Sequence, residues 1–125
     1  MSPGSTRADF AARLKAVPFF ARLAPDELAA LAREADWREY APGEAVFFEG
    51  EPAAGLFILD SGYVKVVKAS AQGREQSLEF IAPGQPFNTV AVFTSHPSPA
   101  TAVALEASAA GMLPREPVKR LLRES

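Results

Sequence analysis

The chain has 125 residues, a formal charge of −2, one histidine and no cysteine, so it supports a single domain that buries roughly two-thirds of its unfolded surface. The missing cysteine removes disulfides, thiolate zinc sites, Cys-bound iron–sulfur clusters and Cys nucleophiles, and the scattered Lys and Arg give no basic footprint, so this chain alone is not expected to bind DNA. No apolar run approaches the ~20 residues of a membrane helix and the first ten residues lack the core of a signal peptide, which predicts a cytoplasmic protein with no membrane contact.

In chain order, residues 1–5 read as a disordered tail, and Thr6 can cap a first helix in which Phe10, Leu14 and Val17 recur at helical spacing until Pro18. A second helix is predicted from Pro25 to Ala35, with Pro in the first turn, Asp26 and Glu27 at the positive end, and Leu28, Leu31 and Ala35 on one face. Its one flaw is Ala24, a poor N-cap. From Trp37 the period shortens to extended runs bounded by Gly and Pro: 37–40, 45–48, 56–59, 63–69, 75–81, 100–106 and 109–113. Gln72-Gly73 signals a hairpin between the fourth and fifth runs, and glycines at 43, 50, 55, 62, 73 and 84 punctuate the series. Residues 115–123 return to helix, with Val118, Leu121 and Leu122 as its buried set. Such spacing suits a mainly β compact barrel or jelly roll with flanking helices, and Phe19, Phe20, Phe47, Phe48, Phe57, Phe80 and Phe87 are expected in its core.

The segment from Pro83 to Ala104 breaks the strand rhythm. Pro83-Gly84 ends a strand, Asn88 and Thr89 can cap a short helix over Val90, Ala91, Val92 and Phe93, and residues 95–99 are loop. Amides at a helix start attract anions, so this insert is either a ligand pocket or a connector covering the sheet end. The inventory argues against enzymatic activity. One histidine cannot supply a cupin metal site, and no G-x-S-x-G nucleophile elbow exists, so no metal is expected. His96 reads as an exposed loop residue, with an axial haem ligand as the alternative.

Gly43-Glu44, the Glu49-Gly50-Glu51 turn, Ser61-Gly62-x-Val64-Lys65-Val66, and Pro83-Gly84 before Phe87 occur in the order that resembles the cyclic-nucleotide-binding-type sensor domain of the Crp/Fnr family of bacterial transcription regulators. The resemblance implies an eight-stranded, two-layer jelly roll over residues 6–125, in which the insert is the effector cassette. It assigns candidate ligand contacts to Phe87, Asn88, Thr89, Val90, Ala91, Ser98, Pro99, Ala100 and Thr101. Family members that bind cyclic nucleotides carry Phe-Gly-Glu and then an Arg in this cassette, where this chain reads Phe87-Asn88-Thr89 and Ser98-Pro99. In the family the Glu accepts a ribose hydroxyl and the Arg pairs with the cyclic phosphate. Losing that guanidinium removes a bond of about 1.5 to 3 kcal/mol, so the effector is left unspecified and cyclic nucleotide is disfavoured. The backbone amides and the hydroxyls of Thr89, Ser98 and Thr101 remain as neutral anion donors. The family's dimerisation helix and helix-turn-helix domain would follow Ser125, so dimerisation and DNA binding are expected only of a full-length regulator. A ligand-free interaction or scaffold module of the same fold and a haem-based sensor are the alternatives.

Overall fold

The structure is a computed structural model, and it describes residues 7–94 and 96–124. The expected tail and the Thr6 cap lie outside the described residues. Helix α1 spans Arg7–Lys15, a 3₁₀ turn spans Pro18–Phe20, and α2 spans Pro25–Glu34. Pro18 therefore opens a new turn three residues after the last residue of α1, consistent with proline's fixed φ suiting a first turn. The weak cap at Ala24 is offset by Glu27, whose Oε1 accepts the Ala24 N–H at 2.8 Å.

Eight strands follow: β1 Asp36–Tyr40, β2 Ala45–Phe47, β3 Gly55–Ser61, β4 Val64–Ala69, β5 Glu75–Ile81, β6 Pro86–Phe87, β7 Thr101–Ala104 and β8 Ser108–Pro114. Helix α3, Thr89–Thr94, stands between β6 and β7, and α4, Arg115–Glu124, follows β8. The strands form two antiparallel four-stranded sheets, β1-β8-β3-β6 and β2-β7-β4-β5, stacked as a jelly roll. Among the described residues no ladder joins the sheets into a closed barrel. The two-residue β6, which pairs with Phe57 and Ile58, lies within the segment expected as non-strand.

Burial follows the layers. Between the sheets, Tyr40, Phe57, Leu59, Phe87 and Ala110 pack against Val46, Val64, Ile81, Ala102 and Ala104. On the other face of the first sheet, Leu56, Ile58 and Leu113 pack against Phe10, Leu14, Leu28 and Leu31 of the helices. Strands β3 and β8 are thus covered on both sides, which is why Leu56–Leu59 and Ala109–Leu113 read as unbroken apolar runs. The close approach also has a steric condition: a Cβ at Gly111 would meet the Phe10 ring.

Two expected core aromatics are on the surface. Phe80 is opposite Lys65 on the outer face and stacks on Tyr63 at 5.8 Å, while Phe48 lies beyond the end of β2. Strand alternation sends Phe80 outward because its neighbour Ile81 takes the inner position. Phe20, Phe57 and Phe87 are buried and Phe47 is partly buried, whereas the side chain of Phe19 lies outside the described residues, as do those of Leu121 and Leu122.

One turn recurs three times, in Ala41–Glu44, Phe48–Glu51 and Ala82–Gln85. In each, glycine is third with φ of 86°, 87° or 90°, as a type II turn requires. The fourth residue's side chain accepts the first residue's N–H: Glu44 from Ala41 at 2.9 Å, Glu51 from Phe48 at 2.6 Å, Gln85 from Ala82 at 2.7 Å. Each turn then exchanges two backbone bonds with one residue elsewhere. Gly43 and Glu44 bond Ala104, Gly50 and Glu51 bond Ser98, and Gly84 and Gln85 bond Leu59. These turns dock the ends of the insert onto the sheets.

Candidate functional site

The cassette starts where β6 leaves the sheet. Phe87 is buried against Phe57 and Phe47, with ring centroids 5.3 and 6.0 Å away, and this aromatic stack anchors the residue before the turn. Asn88 then takes φ of 68°, the only non-glycine with positive φ among the described residues. Asn tolerates that left-handed region better than most residues, and it allows the chain to leave the strand and start α3 at once. The first bond of α3 runs from Val92 N–H to the Asn88 carbonyl at 3.3 Å. With six residues, α3 has a small dipole, so an anion cradle here would depend on side chains as well as amides.

Ser98 is 2% exposed and fully engaged in holding the loop. Its N–H donates to Glu51 O at 2.9 Å, its carbonyl accepts from Gly50 at 2.8 Å, and its Oγ accepts from Asn88 Nδ2 at 3.2 Å. Thr101 Oγ1 accepts from Glu49 N–H at 2.9 Å. Both hydroxyls thus serve as acceptors inside the fold. The other end of the Asn88 amide, Oδ1, is buried and has no hydrogen-bond partner.

A cleft of about 160 Å³ opens between the cassette and the β2-β7-β4-β5 sheet. Asn88, Thr89, Ala91, Pro99 and Ala100 line it on the cassette side, while Phe47, Val66, Leu78 and Glu79 line it on the sheet side. Of the nine expected contact residues, these five meet at the cleft. Phe87 belongs to the core, Ser98 and Thr101 hold the loop, and the side chain of Val90 lies outside the described residues. His96 is exposed and does not line the cleft. A second cleft of about 190 Å³ lies across Phe47 and Asn88, where Arg38, Glu51 and Ser98 contribute. There the Arg38 guanidinium is bound to Asp36 Oδ2 through Nε and Nη2, both at 2.8 Å. Sequence reasoning missed the sheet-side wall: Leu78 sits at a bulge between the Val66–Glu79 and Val67–Ser77 pairs that breaks simple alternation, and Glu79, two residues from the buried Ile81, is a carboxylate on a face otherwise read as core.

Residues 37–125 match the family model of the cyclic nucleotide-binding domain. The chain belongs to that family. It is 29% identical over 110 residues to the cyclic AMP receptor protein of Thermus thermophilus, an alignment covering 88% of this chain and 51% of that protein. The sensor domain of the transcriptional regulator DNR from Pseudomonas aeruginosa superposes with a TM-score of 0.87 at 28% identity, over 94% of this chain and 79% of that one. The regulatory subunit of a cAMP-independent protein kinase A from Trypanosoma cruzi, solved bound to guanosine, superposes at 0.83 with 26% identity, over 94% of this chain and 41% of that one. This cyclic nucleotide-binding domain spans about half the length of the first of these relatives, and it is an effector-sensing regulatory domain of the Crp/Fnr sensor type. Among the described residues no helix is long and apolar enough to cross a membrane.

Proposed function

We propose that the cleft between α3 and the β2-β7-β4-β5 sheet is the effector site, and that occupancy of the cleft is reported through α3 to α4 in a Crp/Fnr-type transcription regulator. The observation that carries this reading is the position of α3. One side of the cassette, at Asn88, Thr89 and Ala91, lines the cleft. The next residue, Val92, is fully buried in the same cluster as Val118 of α4. A ligand that draws the cassette toward the sheet therefore moves a side chain packed in the core beneath α4. Packed cores respond to such shifts by stepping between discrete arrangements. In a full-length regulator the continuation of α4 would pass that step to a dimer interface and a DNA-binding output.

The departure from the family's phosphate contacts sets the test. Pro99 lines the cleft, whereas Ser98 lines only the neighbouring one, with its backbone on the 48–51 turn and its hydroxyl on Asn88, so a guanidinium restored to the pocket belongs at 99. The double variant Thr89→Glu with Pro99→Arg is expected to bind cyclic AMP about ten- to a hundredfold more tightly than the parent by titration calorimetry. No gain in a variant that remains folded by circular dichroism refutes this location for the effector site.

A further inference from the structure

Resting on that reading of the site, we infer that the cleft selects an uncharged or cationic ligand with a flat apolar body and N–H or O–H donors on its edge, and that Glu79 is the residue that turns anions away. Glu79 is directly opposite Val66 in the β4–β5 ladder, so the two share a face of the sheet. Val66 packs against the inter-sheet core, which makes that face the inner one. The Glu79 carboxylate therefore stands at the exposed mouth of the same cleft that Asn88 and Thr89 line from the cassette.

Charge decides what such a cleft accepts. None of its lining residues is Lys, Arg or His. Two cations on adjoining elements are committed elsewhere: Arg38 belongs to the neighbouring cleft and is bound to Asp36, and Lys65 is on the outer face with Nζ 2.8 Å from Glu75 Oε1. A cyclic phosphodiester entering here would meet one fixed negative charge and no guanidinium. A donor-bearing ligand meets an acceptor instead, the Glu79 carboxylate at the mouth. Phe47, Val66 and Leu78 against Ala91 and Pro99 give two apolar walls suited to a planar ring. At about 160 Å³ the enclosed part is below the ~300 Å³ at which pockets for drug-sized ligands begin, so one ring system fits inside and the remainder lies at the open mouth.

Adenosine and cyclic AMP share a base and ribose and differ by the phosphodiester, so they are the probes. The parent chain and Glu79→Gln are titrated with each by calorimetry at low millimolar concentration, with circular dichroism as the folding check. The parent is expected to bind adenosine more tightly than cyclic AMP. In Glu79→Gln, cyclic AMP is expected to gain about fivefold from the removed repulsion and adenosine to lose about tenfold from the missing charged acceptor. Three results would overturn the inference: parent affinity for cyclic AMP equal to or above that for adenosine, a selectivity ratio that Glu79→Gln leaves in place, or no adenosine binding to the parent. The Thr89→Glu with Pro99→Arg variant separates the two claims. If it gains cyclic AMP binding while the parent ignores adenosine, the cleft is the effector site and the assigned ligand class is wrong.

Discussion

Position 88 permits a backbone and a side chain to be weighed separately. Asn88 holds φ of 68° and its side chain makes one bond, from Nδ2 to Ser98 Oγ at 3.2 Å, while its Oδ1 is buried and unpartnered. Asn88→Ala and Asn88→Gly remove the same side-chain groups: one hydrogen bond of about 1 kcal/mol is lost and one orphan acceptor costing about 1 to 3 kcal/mol is relieved. They differ in the backbone. Alanine in the left-handed region is penalised by about 1 to 2 kcal/mol, whereas glycine carries no such penalty but loses about 0.5 to 1 kcal/mol through its greater freedom when unfolded. The glycine variant is therefore expected to be more stable than the alanine variant by about 0.5 to 1 kcal/mol, on the order of 3 °C in Tm for a chain of this length. Urea unfolding followed by circular dichroism with matched slopes measures the difference directly. If the alanine variant equals or exceeds the glycine variant, position 88 does not occupy the left-handed region in solution, and the abrupt start of α3 needs another explanation.

Two further substitutions test the packing between layers. Gly111→Ala places a Cβ against the Phe10 ring and is expected to lower stability by about 1 to 3 kcal/mol; the loss should shrink in a Phe10→Leu background, and a purely additive double-mutant cycle would refute the contact. Burial raises the Tyr40 phenol above its ordinary value near 10, with the Arg38 guanidinium pulling the other way, so folding favours the neutral form. That contribution is complete below about pH 10 and is lost as pH rises toward the raised folded value, so the parent should lose stability above pH 10 relative to Tyr40→Phe; identical alkaline limbs in the two proteins would rule this out.

Much of the architecture was legible because it follows from burial. The two-sided cover of β3 and β8 leaves apolar runs, and the switch from helical to short periods at Trp37 marks where α2 gives way to sheet. Gly73 also lay where a hairpin needs it, with Ser70 and Arg74 closing the turn. Three features were not legible. Strand β6 is two residues long and is held by its partner β3, leaving no periodicity to read. Phe80 exposes an aromatic that composition alone assigns to the core, because only the register reveals its face. Gly111 sits inside a strand with no turn signal, and its requirement comes from a ring more than a hundred positions earlier in the sequence, with Phe10 brought to it by the fold.

The candidate site divides along the same line. Cassette residues are consecutive, so their grouping at Asn88, Thr89, Ala91, Pro99 and Ala100 could be anticipated, but the opposite wall comes from β2, β4 and β5. Glu79 carries the consequence. The missing Glu and Arg of the cassette show only that favourable phosphate contacts are gone, and a pocket in that condition would bind cyclic nucleotides weakly and other ligands no better. A carboxylate on the facing sheet changes the argument from loss to selection, because an acceptor that repels one ligand attracts another. On the inference drawn above, specificity in this cleft is set by a residue of the sheet as much as by the cassette. A comparison confined to cassette sequences would classify the domain as impaired, whereas the β4–β5 register places Glu79 beside Val66, and on that inference the carboxylate gives the domain a different preference.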